Sequence, residues 1–184
     1  MADSPARRLM LLRHAKSAWP DVADHERPLA PRGRRDAPAA GRWLRATGCM
    51  PDRVVCSTAV RARQTWQLAE DELGARPQTT FEQRVYGATS TGLLDLARQT
   101  PAKIRTLLIV GHDPAVQQLT LELASARPGN RDADALERVR AKFPTAAIAV
   151  LGFTGAWPRL APGQARLASF AVPADFPSGH GGTG

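Results

Sequence analysis

One stretch constrains this chain more than any other: Leu9-Met10-Leu11-Leu12 runs without a break into Arg13-His14. A short apolar run bounded by polar residues reads as a strand buried on both faces of a parallel sheet. Ligands of open α/β sheets sit beyond the carboxyl ends of the strands, and Arg13 and His14 fall at that end. A second run, Thr106-Leu107-Leu108-Ile109-Val110-Gly111, delivers His112 in the same way. Between them, Arg53-Val54-Val55-Cys56-Ser57 passes into Thr58-Ala59-Val60-Arg61-Ala62-Arg63-Gln64-Thr65, a strand leading into a helix with Arg61 near its start.

If these strand ends converge, Arg13, His14, Arg61 and His112 meet. Guanidinium groups match phosphate oxygens with paired donors. A neutral imidazole is a competent nucleophile near neutral pH. A helix start supplies further backbone donors for an anion. The set suits a phosphoryl group. Arg63 is the alternative to Arg61, but its spacing turns it to another helix face.

The ordered blocks Leu-Arg-His-Ala at 12–15, Ser57 through Thr65, and Gly-His at 111–112 resemble the histidine phosphatase, or phosphoglycerate mutase-like, superfamily. Arg-His-Ala-Lys-Ser-x-Trp at 13–19, Arg-Pro-Leu-Ala-Pro-Arg-Gly-Arg-Arg at 27–35 and Phe-Pro-Thr-Ala at 143–146 look most like its small SixA-type phosphohistidine phosphatases. The resemblance spans roughly Arg8 to Pro173. It implies a three-layer α/β/α sandwich around a mostly parallel sheet. It also implies a phosphohistidine intermediate on His14, with Arg13 and Arg61 clamping the phosphoryl oxygens and His112 stabilising the transferring group. Asp113 and Glu82 are the candidate general acids, each by analogy with a different branch. Two departures, Ala15 where mutase-like members have Gly and Pro20 where they place Asn, weaken a sugar-phosphate mutase reading. A short chain without a capping insertion fits a phosphorylated side chain on another protein. The alternatives are a phosphatase of a small phosphoester, such as a sugar phosphate or nucleotide, and a non-catalytic phosphate-binding module.

Composition narrows the rest. A chain of 184 residues suits one well-buried domain, expected over 1–172, with a flexible Pro/Gly/Ser tail over 173–184. The net charge of +8 invites a nucleic-acid reading, but the basic residues are scattered and no nucleic-acid motif accompanies them. An acidic or phosphorylated partner, either a protein or a small substrate, is compatible with that charge. Cys49 and Cys56 suggest no disulfide framework. Cys56 is a poor rival nucleophile, because a Cys-x5-Arg loop would need arginine at 62, which is Ala62. The histidines at 14, 25, 112 and 180 show no zinc-ligand spacing, so neither metal nor cofactor is expected. No apolar run is long enough for a membrane span, and no signal peptide is evident, so the cytoplasm is the expected compartment.

Helices are predicted over 31–47, to Leu73 after a Ser57 or Thr58 cap, 91–99, after Pro114, and 133–142. Pro38 moves the expected start of the first towards itself. Extended segments are predicted at 79–86, 146–153 and 165–172.

Overall fold

The computed structural model describes residues 6–124 and 130–178. Six strands form one sheet: β1 (Ala6–Arg13), β2 (Arg53–Ser57), β3 (Gln78–Glu82), β4 (Thr106–Gly111), β5 (Ile148–Thr154) and β6 (Arg166–Ala171). Their spatial order is β3-β2-β4-β1-β5-β6. The first four in that order are mutually parallel, while β5 pairs antiparallel with β1 and β6 antiparallel with β5. Among the described residues five α-helices join them: α1 (Pro31–Ala46), α2 (Val60–Leu73), α3 (Ser90–Arg98), α4 (Ala115–Leu123) and α5 (Asn130–Ala141). The fold is the three-layer α/β/α sandwich expected from the sequence.

Alternation along the central strands explains the layers. Leu9 and Leu11 of β1, with Leu107 and Ile109 of β4, pack against α3, α4 and α5 through Leu93, Val116, Leu119 and Val139. Met10 and Leu12, with Leu108 and Val110, point to the other face and meet α1 and α2 through Ala40, Leu44, Trp66 and Ala69. Successive side chains of a strand face opposite ways, so an uninterrupted apolar run serves two cores at once.

Helix α1 lies very close to its neighbours. A Cβ on Gly41 would fall 2.0 Å from the carbonyl oxygen of Ala69, and one on Gly33 would fall 2.2 Å from that of Lys16. These glycines let α1 sit against α2 and against the backbone just after His14.

Several boundaries differ from the sequence reading. Strand β1 starts at Ala6, ahead of the apolar run that opens at Leu9, and Arg7 is buried with its guanidinium bonded to the carbonyls of Gly155 and Ala102. Helix α1 runs through Pro38 from Pro31 at its first turn. The cost of one missing N–H is outweighed by burial of Ala37, Ala40, Trp43 and Leu44. The extended piece at 79–86 stops at Glu82 and tightens into a 3-10 turn over Gln83–Val85. The boundary placed at 173 also moves: Pro173–Asp175 forms a 3-10 turn, and Phe176 is buried against Trp43. Residues 179–184 of the predicted tail, with His180, lie outside the described residues, as do residues 1–5 and 125–129. Among the described residues, no helix is long and apolar enough to cross a membrane.

Candidate active site

Register brings the site together. Arg13 pairs with Gly111 across the parallel β1/β4 ladder, so the next residues, His14 and His112, emerge side by side. The amide of His14 donates to the carbonyl of Gly111 at 3.0 Å. Their rings stand 5.1 Å apart between centroids. Ser57 follows Cys56, which pairs with Val110, so the end of β2 joins the same edge.

His14 is 8% exposed. Its Nδ1 lies 2.8 Å from the carbonyl oxygen of Ala15. A carbonyl only accepts, so Nδ1 carries the hydrogen and Nε2 keeps its lone pair. Burial pushes the imidazole pKa down to about 3, and the neighbouring His112, Arg61 and Arg13 add to the effect. The ring is therefore neutral across the physiological range. The backbone beneath it is pinned: the amide of Ala15 donates to Thr65 Oγ1 at 2.9 Å, and that hydroxyl donates to the Arg61 carbonyl at 2.6 Å.

His112 is held by a neighbour that the sequence reading assigned elsewhere. Its Nε2 is 2.7 Å from Ser57 Oγ, and its Nδ1 is 3.5 Å from an Arg61 terminal nitrogen. Guanidinium can only donate, so Nδ1 is the acceptor and Nε2 donates to Ser57. Burial first and Arg61 second lower the His112 pKa to about 4. Ser57 had been expected as a candidate helix cap; α2 instead has Ala59 at its N-cap with no side-chain bond. Ser57 Oγ still accepts from the Ala59 amide at 3.2 Å while serving His112.

Arg61 lies in the first turn of α2 and is buried, whereas Arg63 is exposed. Arg13 donates to the Phe143 carbonyl at 2.7 Å and lies 3.4 Å from Asp113. The Phe-Pro-Thr-Ala stretch thus backs onto the arginine, and the amide of Ala146 bonds the Arg13 carbonyl at 3.1 Å. The two candidate acids part ways. Burial raises the Asp113 carboxyl, against the pull of Arg13. Glu82 is instead bonded by the side chain and the amide of Arg84, which hold its carboxyl below the ordinary range. Cys56 is a fully buried core residue whose thiol is pushed up by desolvation.

Asp24, in a 3-10 turn over Asp24–Glu26, was missed by the sequence reading. One of its carboxylate oxygens accepts from Arg61 at 3.0 Å and from Tyr86 Oη at 2.9 Å, and the other accepts from Arg27 at 3.0 Å. Its carbonyl takes a further Arg61 bond at 2.7 Å. Tyr86 leads this set of partners in holding the carboxyl well below its usual range. Tyr86 also lies edge-on to His112 at 5.7 Å. His25 packs edge-on against Tyr86 and bonds Thr58 Oγ1 at 2.9 Å. No local pattern marks Asp24, because each of these partners other than Arg27 is distant in the chain.

Comparison with known proteins shows the family. An uncharacterized protein of Mycobacterium tuberculosis is 47% identical over 163 residues, covering 88% of this chain and 99% of its own. The structure of the proposed phosphohistidine phosphatase SixA from Nakamurella multipartitia is 39% identical with a TM-score of 0.81, covering 94% of this chain and 99% of its own. A second proposed SixA, from Agrobacterium tumefaciens, is 28% identical with a TM-score of 0.72, covering 91% and 98%. The profile of the histidine phosphatase superfamily (branch 1) matches residues 9–150, from the first strand through the last residues that back Arg13 and His14. The chain belongs to that superfamily.

Proposed function

We propose that this phosphatase removes the phosphoryl group from phosphohistidine on a protein, through an intermediate on His14. The observation that carries the reading is the His14 tautomer. With Nδ1–H committed to the Ala15 carbonyl, Nε2 offers a lone pair from a ring that stays neutral at pH 7. That lone pair forms an N–P bond while the P–N bond to the substrate imidazole breaks. The leaving nitrogen can take its proton before cleavage, so no strong general acid is demanded. Water then attacks phosphorus, the His14 bond breaks, and inorganic phosphate leaves. Arg13 and Arg61 supply donors for the equatorial oxygens. His112, whose ring stands beside that of His14, stabilises the transferring group. No step calls for a metal.

One observation favours a small phosphoester instead. Asp113, half-buried next to Arg13 and directly after His112, is the candidate acid for an alkoxide leaving group. A panel of substrates under rapid quench separates the readings. Labelled phosphohistidine protein is expected to leave an acid-labile, alkali-stable adduct on His14, formed equally in the presence of a chelator. Activity in His14→Ala would overturn the mechanism. An ester turned over as fast as the phosphoprotein would overturn the substrate assignment.

A further inference from the structure

We infer that the loop over residues 15–30 is a docking face for an acidic protein segment that carries the phosphohistidine, with Trp19 as its anchor. The inference rests on the proposed function of the His14 site and names what surrounds the phosphoryl group when it arrives.

Among the described residues the exposed large hydrophobics are Trp19, Val22 and Phe81, and the first two lie in this loop. Trp19 is 78% exposed, yet one face of its ring is occupied. The Arg27 guanidinium carbon sits 3.3 Å from the ring centroid. Arg27 is itself buried and held on three sides, by the Ala18 carbonyl at 3.0 Å, Ser17 Oγ at 2.7 Å and Asp24 at 3.0 Å. The indole is thus propped against a fixed cation with its other face in water. A preordered, solvent-facing tryptophan loses little freedom on binding, and such residues dominate interface energetics.

Position and charge select the occupant. Trp19 lies five residues after His14, so the two backbones are at most about 17 Å apart. A standard interface covers about 800 Å² per partner, a disc of about 16 Å radius, so one docked surface reaches both. The first turn of α1 packs on the Lys16 backbone and brings Arg32, Arg34 and Arg35 to the same edge. Lys16, Arg34 and Arg35 are exposed and form no ion pair among the described residues. Two of the acidic groups nearby are paired with arginine, Asp24 with Arg61 and Arg27 and Asp36 with Arg32, leaving Asp21 and Glu26, the latter hydrogen-bonded to His25. Unpaired positive charge around an apolar anchor fits an acidic partner. Asp24 also ties the face to the site, because the same carboxylate holds Arg27 under Trp19 and Arg61 beside His112.

The test uses binding rather than turnover. A peptide bearing a non-hydrolysable phosphohistidine mimic flanked by Glu and Leu is titrated against the full chain, beside the free mimic and a Lys-flanked peptide. The acidic peptide is expected to bind at least tenfold tighter than either control. Trp19→Ala should weaken the acidic peptide by about thirtyfold, as a central hot spot does, and leave the free mimic unchanged. Trp19→Phe, which keeps a ring for Arg27, should restore most of the difference. Arg34→Glu with Arg35→Glu should weaken only the acidic peptide. Equal affinity for peptide and free mimic would overturn the docking face without touching the proposed function. So would equal losses for both in Trp19→Ala, or a change of oligomeric mass in that variant with no change in peptide affinity. Discrimination by Trp19 without hydrolysis of phosphohistidine would retain the face and overturn the function.

Discussion

Asp24 shows how much of the site is second-hand geometry. Arg61 offers its terminal nitrogens to one carboxylate and one carbonyl of the same residue, which orients the guanidinium beside His112. Asp24→Ala is expected to lower kcat about tenfold, near the low end for loss of one charge-assisted hydrogen bond. Asp24→Asn, which keeps an acceptor oxygen, should recover part of it. Steady-state kinetics on phosphohistidine checks both, and a wild-type kcat in Asp24→Ala would dismiss the positioning role. The proposed histidines make a second residue-scale prediction. Both have folded pKa values below the unfolded value of about 6.5, so the unfolded chain binds more protons in acid. Their contribution to stability is complete above about pH 6.5 and is lost as pH falls towards 4 and then 3. Each can impose a slope of up to about 1.4 kcal/mol per pH unit there. Denaturant titrations between pH 7 and 4 should show this slope, and it should flatten in His14→Gln.

At the scale of elements, the pairing of α1 with α2 carries the sharpest constraint. Gly41 leaves no room for a methyl group against the Ala69 carbonyl. Gly41→Ala raises intrinsic helix propensity, which favours the helix by at most about 1 kcal/mol. The clash opposes it, and overpacking of this kind typically costs about 1–3 kcal/mol. A net loss of stability is expected in chemical denaturation. A more stable Gly41→Ala protein would show that the helices separate without penalty. Helix α2 matters twice, since it presents Arg61 from its first turn and Thr65 from its second to the surroundings of His14.

Across the whole molecule, the proposed chemistry sits on strand ends while the proposed docking face is a loop. The four proposed catalytic side chains leave β1, β4 and the start of α2, all backed by two apolar layers. The loop over 15–30 is stitched by a bridge between Ser17 and Leu29 and by the Arg27 bonds. This division predicts that substitutions at Trp19 change partner affinity and leave small-molecule chemistry intact, whereas substitutions at Ser57 or Thr65 act on chemistry.

The layers, the strand ends and the four candidate residues were legible in the chain, because each lies in a contiguous run whose pattern has one physical meaning. Leu9 through Leu12 could bury both faces only in the middle of a sheet, and a residue after such a strand must reach the carboxyl edge. Asp24, Tyr86, Ser57 and Arg27 were not legible in those roles. Ser57 reads locally as a cap, and Asp24 reads as one acid in a polar loop. The partners that define the site, Arg61 and Tyr86 for Asp24 and His112 for Ser57 and Tyr86, stand tens of residues away. The same holds for the contrast between Asp113 and Glu82, which differ by what folding buries and by an arginine two positions along. Local sequence carries hydrophobic period and reach along the chain; which distant donor meets which acceptor is decided only when the sheet register and helix packing are set.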